Sequence, residues 1–219
     1  MYISLGPPFI IRNFPLKNLI EYAFNVQNFQ IKEGPASILS EHFDIRAKLD
    51  TSAHVNPNMS DEEQGSFLKE QRRRVQNLLA DRFQLRLHRE TRELPVYALM
   101  AAKNGPKLHE SAVTDGPNAP SSTRIGPGRF SGRRIKPSSL AEALSNQLGR
   151  TVIDRTGLNG FYDFTLKWMP DESSERMFKE SSGPSLFTAI QEQLGLKLEP
   201  SKGPVEILVI DHVEQPSEN

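Results

Sequence analysis

The densest group of chemically capable side chains is a basic run in the first half of the chain. Clustered guanidinium and ammonium groups attract anions such as a polyanionic glycan, a lipid head group or an acidic protein. Acidic residues are interspersed with them, so a solvated helix face with pairs four residues apart is the alternative interpretation. The candidate binding residues are Lys69, Arg72, Arg73, Arg74, Arg82, Arg86, His88, Arg89 and Arg92.

A second candidate group is acid–base in character. Asp163, Asp211 and His212 could share proton transfer if the fold brings them within reach, because a carboxylate and an imidazole exchange protons readily. This pattern suggests a hydrolase that acts on cell-wall or glycan substrates at a site between the two halves of the chain. The alternative is that Asp211 and His212 simply end an exposed strand.

Three weaker motifs favour ordinary structure. Ser66-Phe67-Leu68-Lys69 matches the serine–lysine spacing of penicillin-recognising enzymes, but the companion motifs are missing. The glycine-rich residues 126–132 lack the lysine and serine that end a phosphate loop, so a turn into a strand is favoured. No metal or cofactor is expected, because no close metal-ligand spacing occurs. The histidines are His42, His54, His88, His109 and His212.

Composition excludes several classes of protein. The 27 Lys and Arg residues equal the 27 Asp and Glu residues, so no overall charge favours nucleic acid, and none is predicted as a partner. The absence of cysteine rules out disulfides and thiolate chemistry. The apolar runs are much shorter than the roughly 20 residues needed to cross a bilayer as a helix. The first residues lack an export signal, so the protein is cytoplasmic or its signal precedes this sequence.

The elements that would position these groups recur in order. Four helical patterns begin near residues 16, 60, 139 and 184, and two strand-like runs follow each of them. Ser60 and Ser139 each precede a glutamate by three residues, as in a capping box. Gly149 and Gly195 are placed to end helices. The predicted strands cover residues 29–31, 43–49, 83–87, 96–100, 151–153, 161–168, 196–198 and 205–210.

This recurrence predicts an α+β fold made of two duplicated β-α-β-β-α-β-β halves, with helices packed on small mixed or antiparallel sheets. The halves are residues 1–105 and 125–219. Residues 106–124 are rich in Gly, Pro and Ser and are predicted to form a linker. Residues 156–160 and Gly203-Pro204 are predicted turns, and the charged residues 88–93 are predicted to form an exposed tip suited to recognition.

Several segments resemble a large soil-associated bacterial family of uncharacterised proteins. The matching residues are 16–20, 29–35, 87–97, 154–160, 162–164, 183–187, 193–196, 203–206 and 210–214. The resemblance implies a periplasmic or extracellular protein without an established activity, and a further strand-forming segment ahead of Gly6. The helix-plus-hairpin units are also similar to the short amino-terminal modules of secretins and of TonB-dependent receptors, which bind and assemble.

Three functions follow from these observations. The first is a non-catalytic module of the cell envelope that recruits a protein or anionic ligand through an edge strand or the arginine-rich face. The second is the hydrolase described above. The third is a structural or oligomerising spacer. The sequence does not fix the oligomeric state.

Overall fold

The computed structural model describes residues 2–4, 9–47, 61–112, 121–169 and 183–216. The chain divides into two compact units, residues 1–92 with 204–219 and residues 93–203. Helices and small antiparallel or mixed sheets make up both units, which confirms the α+β class.

The helices and strands follow one another in a regular order. The strands are β1 Tyr2–Ser4, β2 Phe9–Pro15, β3 Ile31–Lys32, β4 His42–Ala47, β5 Arg86–Ala101, β6 His109–Glu110, β7 Ser122–Gly126, β8 Arg129–Ile135, β9 Val152–Asp154, β10 Tyr162–Lys167 and β11 Leu196–His212. The helices are α1 Leu16–Phe24, α2 Ala36–Ser40, α3 Asp61–Phe83, α4 Pro137–Leu148 and α5 Leu186–Leu194. A short 3-10 turn spans Asn28–Gln30.

Each unit contains one antiparallel sheet. In the first unit the strand order is β1-β2-β4, and β3 pairs in parallel with β11. In the second unit the order is β6-β10-β8-β7, and β9 pairs in parallel with β5. The long strands β5 and β11 each contribute residues to both units.

Amphipathic helices supply much of each core. In the first unit α1 buries Leu16, Leu19 and Ile20, whose spacing places them on one helix face. In the second unit α4 buries Leu144 and α5 buries Ile190. These three helix faces were predicted from apolar periodicity, and their burial confirms the prediction.

The helix ends agree with the sequence patterns in part. Gly149 and Gly195 end α4 and α5 in the left-handed conformation, as predicted. The predicted capping box at Ser139 is wrong, because α4 begins at Pro137, which fits the first helical position. The hydroxyl of Ser185 caps α5 by accepting a hydrogen bond from the Thr188 backbone. Ser60 lies outside the described residues.

In each half a break was predicted between the last two strands, and this prediction is wrong. Residues 88–93 continue β5 rather than forming a tip, and Gly203-Pro204 continues β11 rather than forming a turn. A Cβ atom on Gly203 would lie 2.8 Å from Cδ1 of Ile153, so this glycine serves close packing inside a strand. The turn at residues 156–160 is confirmed, with Gly157 and Gly160 both at positive φ.

Two further differences concern short elements. The helix α2 was not predicted. Residues 106–124, which have linker composition, include β6 and most of β7. Short polar strands such as these owe their existence to neighbouring strands rather than to their own propensity.

The order β-α-β-β-α-β occurs from β2 to β5 and again from β8 to β11, apart from the additional α2. The last two predicted strands of each half are merged into one. The duplication of the halves remains a prediction.

Candidate functional site

A basic outer face on the sheet of the second unit is the best candidate for a functional site. On β8, Phe130 and Gly132 are buried, whereas Arg129 and Arg133 are exposed and Ser131 is half-buried. Side chains alternate between the two faces of a strand. Arg129, Ser131 and Arg133 therefore share the face turned away from the core.

The neighbouring strands extend this face on both sides of β8. On β7, Ser122 lies opposite Arg133 and Arg124 lies opposite Ser131. On β10, Thr165 lies opposite Ser131 on the other side. Residues directly opposite each other project from the same face of a sheet. The outer face therefore carries Arg124 and Thr165 beside the two arginines of β8.

An open cavity of about 810 Å³ lies against this face. Its walls come from β6, β7, β8, β10, the segment after β5 and the end of α5. The lining residues are Lys107, His109, Ser122, Thr123, Arg124, Arg129, Ser131, Gly132, Arg133, Asp163, Phe164, Thr165, Gln193 and Leu194.

Positive charge dominates the cavity. Within the part of the chain that the structure describes, Lys107, Arg124, Arg129 and Arg133 form no ion pair. Lys107 donates from Nζ to the backbone carbonyl of Glu192 at 2.8 Å, which leaves its charge uncompensated. Four cations around one cavity favour an anionic ligand.

Asp163 is the one carboxylate among the lining residues, and it is held by its neighbours. Its Oδ1 accepts hydrogen bonds from the Ser111 hydroxyl at 2.6 Å and from the Arg134 backbone N–H at 2.8 Å. The Ser111 bond, then the Arg134 bond and the charges of Arg133 and Arg134, lower the pKa of Asp163 below its ordinary value. Asp163 is therefore ionised at neutral pH and offsets only part of the positive charge.

The other two candidate acid–base residues have separate partners in the first unit. Asp211 lies 2.9 Å from Nδ1 of His88, whereas His212 lies 2.8 Å from a carboxylate oxygen of Glu214. Asp163 belongs to the second unit, whereas Asp211 and His212 belong to the first and bond to different partners. The hydrolase stays a prediction.

The helical part of the predicted arginine-rich face is partly neutralised. On α3, Arg73 and Arg74 both contact Glu70, at 3.3 and 3.2 Å. Lys69 is exposed and Arg72 is half-buried on the same helix. A shared carboxylate weakens the attraction of this helix for an external anion.

In the strand part of the predicted arginine-rich face, acidic residues pair with the arginines, and two of these acidic residues are distant in sequence. Arg89 pairs with Glu206 and donates to the Phe24 carbonyl at 2.9 Å. Arg92 contacts Glu90 at 2.7 Å and Glu33 at 3.8 Å. Arg82 and Arg86 are exposed. The arginine-rich face stays a prediction as a binding site, with much of its charge paired inside the fold.

The weaker motifs take ordinary structural places. Ser66 and Lys69 are exposed on α3. Residues 127–128 form the turn between β7 and β8, and Gly128 has a φ of 67°, as the turn interpretation of this glycine-rich segment predicted. No group of three or more His, Cys, Asp or Glu side chains suited to a metal ion occurs among the described residues.

The basic outer face was not predicted from the sequence. Its arginines are separated by a turn, and most of β7 was assigned to the linker. The alternation Arg129-x-Ser131-x-Arg133 was the available signal, because it places three polar residues on one face of a strand.

The sequence profile of DUF3738, described as a protein of unknown function, matches residues 17–213. The chain therefore belongs to this family, which agrees with the resemblance to an uncharacterised family. Comparison with curated proteins and with solved structures found no match. No helix in the described ranges is both long and apolar enough to span a membrane.

Proposed function

We propose that this member of the DUF3738 family is a non-catalytic binding module that holds an anionic partner on the outer face of the β6-β10-β8-β7 sheet. The observation that carries the proposal is the concentration of Lys107, Arg124, Arg129 and Arg133 around one cavity without an ion pair in the described chain.

The cavity suits recognition in size and in chemistry. About 810 Å³ falls within the usual range of roughly 300–1,000 Å³ for ligand sites. Arginine presents several N–H donors in a planar fork that matches carboxylate, sulfate and phosphate groups. The hydroxyls of Ser122, Ser131 and Thr165 add neutral donors between the cations.

The arginines and Asp163 suit binding rather than proton transfer. The guanidinium groups stay protonated at every physiological pH, so they supply charge and hydrogen bonds rather than proton transfer. Asp163 is ionised and already accepts two hydrogen bonds from the protein. These properties suit a surface that holds an anion without changing it.

The cell envelope is the proposed location, because the resemblance to exported bacterial proteins implies it. Fractionation of cells that produce the full-length gene product tests this part. Recovery with the periplasmic or secreted fraction supports the proposal, and recovery only with the cytoplasm contradicts it.

The binding proposal is tested with two matched charge-reversal variants. The first changes Arg124, Arg129 and Arg133 to Glu, and the second changes Arg72, Arg73 and Arg74 to Glu. Isothermal titration with poly-L-glutamate and with a sulfated polysaccharide measures affinity at low and at physiological salt. The second variant controls for the change in net charge, because both variants remove three arginines.

We expect the first variant to lose at least about tenfold in affinity and the second to stay within about twofold, where tenfold corresponds to roughly 1.4 kcal/mol. Wild-type affinity should fall as salt rises, because exposed charges are screened. The opposite ranking would move the site to α3. No measurable wild-type binding to either polymer would overturn the proposal.

A further inference from the structure

The strand β7 forms one edge of its sheet. Among the described residues, β7 pairs only with β8, through the register from Ser122 opposite Arg133 to Gly126 opposite Arg129. An edge strand presents backbone N–H and C=O groups that can pair with another extended chain. All side chains from Ser122 to Ile125 are exposed.

The two faces of β7 differ in chemistry. Ser122 and Arg124 lie opposite outer-face residues of β8. Thr123 and Ile125 lie opposite the buried Gly132 and Phe130, so they belong to the core side of the sheet. Ile125 is nonetheless 58% exposed, which is unusual for a large apolar side chain on that side.

The arginines of β8 are open toward the edge. Arg129 and Arg133 lie opposite Gly126 and Ser122, the smallest residues of β7. Adjacent strands lie roughly 4.8 Å apart, so a chain beside β7 would lie roughly 9.6 Å from β8, and the arginine side chains would extend across β7 to meet acidic side chains that lean toward them. Because Gly126 and Ser122 are small, they do not block the guanidinium groups from contacting a chain that lies beside β7.

We propose that β7 receives an extended segment of a partner protein whose residues alternate between acidic and apolar. Acidic side chains lie on the outer face with Arg124, Arg129 and Arg133, and apolar side chains lie beside Ile125 on the other face. This inference rests on the proposed function, because it names the partner of the basic outer face. Backbone pairing supplies affinity, and alternate side chains supply specificity.

Charge selects a partner protein over a second copy of this chain. Two β7 strands placed edge to edge would bring Arg124 of each copy into neighbouring strands and would join two outer faces that each carry three arginines. Like charges in neighbouring strands are destabilising. An acidic segment meets the same arginines with attraction, and its apolar residues cover Ile125.

Synthetic peptides test the inference. One short peptide alternates glutamate with valine and threonine, and a control contains the same residues with all glutamates in one block. Two further peptides carry backbone N-methyl groups on one edge or the other of the alternating sequence. Fluorescence anisotropy measures affinity for wild type, for Ile125→Ser and for the variant with Arg124, Arg129 and Arg133 changed to Glu.

The alternating peptide should bind at least about tenfold more tightly than the block peptide, which is about 1.4 kcal/mol. N-methylation on one edge should lower affinity by about tenfold, and on the other by less than about twofold, because only one edge pairs with β7. Ile125→Ser should weaken binding by about fivefold or more through lost apolar contact. Amide exchange in residues 122–126 should slow in the complex.

The outcomes separate this inference from the proposed function. If both peptides bind equally and both lose affinity in the triple arginine variant, the basic face binds anions but the strand inference is overturned. If neither peptide responds to the triple variant, the proposed function itself fails. Light scattering that shows a wild-type dimer, lost in Ile125→Ser, would assign β7 to a second copy and would also overturn the inference.

Discussion

The backbone N–H of Arg134 donates a hydrogen bond to the carboxylate of Asp163 at a bulge between β8 and β10. Arg134 has a φ of 55°, in the left-handed region. In the first unit the N–H of Asn13 donates to Asp44 at 2.7 Å, at the corresponding shift between β2 and β4. Asn13 has a φ of 53°. In both sheets, an aspartate on the neighbouring strand accepts a hydrogen bond from the backbone N–H of the left-handed residue at the bulge.

Asp163→Ala should destabilise the second unit by about 1–3 kcal/mol at neutral pH, because the Ser111 hydroxyl and the Arg134 N–H lose their acceptor. Urea unfolding at pH 7 measures the difference from wild type. Thr165→Ala on the same strand is the control, since Thr165 is exposed. An unchanged midpoint for Asp163→Ala would contradict the structural role.

The same variant has a defined pH dependence. The pKa of Asp163 is lowered on folding, chiefly by Ser111, from an ordinary value of 3.8. A lowered pKa stabilises the folded state above the ordinary value, and this contribution is lost as the pH falls through the folded pKa. The gap between wild type and Asp163→Ala should therefore shrink below about pH 3.8. A gap that widens in acid would contradict this assignment.

The pKa of His88 should lie above 6.5, because the Asp211 carboxylate accepts a hydrogen bond from its ring and Glu90 and Glu33 add negative charge. A raised pKa stabilises the fold below pH 6.5, and that contribution is lost as the pH rises through the folded value. NMR titration of the His88 ring tests the direction. Asp211→Asn should lower the His88 pKa relative to wild type, and an unchanged value would contradict the pairing.

Gly132→Ala should destabilise the second unit by about 1–3 kcal/mol or more, as overpacking does. A Cβ at this position would lie 2.5 Å from Cγ1 of Ile135 and 2.8 Å from Cε1 of Phe164. Gly126→Ala is the matched control in the same sheet, because a Cβ there would meet no described atom within 4 Å beyond its chain neighbours. Thermal unfolding of both variants measures the loss of stability. Equal losses for Gly132→Ala and Gly126→Ala would refute the packing explanation.

Leu144→Ala should cost about 2–5 kcal/mol, the usual range for a buried leucine that leaves a cavity. Leu144 is 1% exposed within the second core. Asn146→Ala on the exposed side of α4 should stay within about 0.5 kcal/mol. Chemical unfolding compares the two, and a small loss for Leu144→Ala would show that α4 contributes little to the core.

Helix faces and helix ends were predictable because their causes are local. The spacing of Leu19, Leu144 and Ile190 is enough to identify buried faces, and a glycine such as Gly149 ends a helix through its own conformation. The continuity of β5 and β11 was not predictable in this way. Residues 88–93 are mostly charged, and they remain a strand because β5 pairs with β11, which also places Asp211 and Glu206 beside His88 and Arg89.

The candidate site shows the same limit. The basic run from Lys69 to Arg92 is dense in sequence, but Glu33, Glu206 and Asp211 neutralise part of it from distant segments. Arg124, Arg129 and Arg133 lie in residues 116–141, which contain no Asp or Glu, and strand pairing gathers them on one face. The number of basic residues along the chain therefore predicts a binding surface poorly, because nearby acidic residues and the fold decide which charges are compensated.

Chemical-shift mapping of the isotope-labelled protein with a short glutamate oligomer tests the basic outer face most directly, because it locates the site without a substitution. Amide shifts should concentrate in Ser122–Gly126, Arg129–Ile135 and the Thr165 region, and should diminish as salt is added. Shifts centred on α3 and on residues 86–92, with the β7 and β8 amides unchanged, would contradict the proposed function.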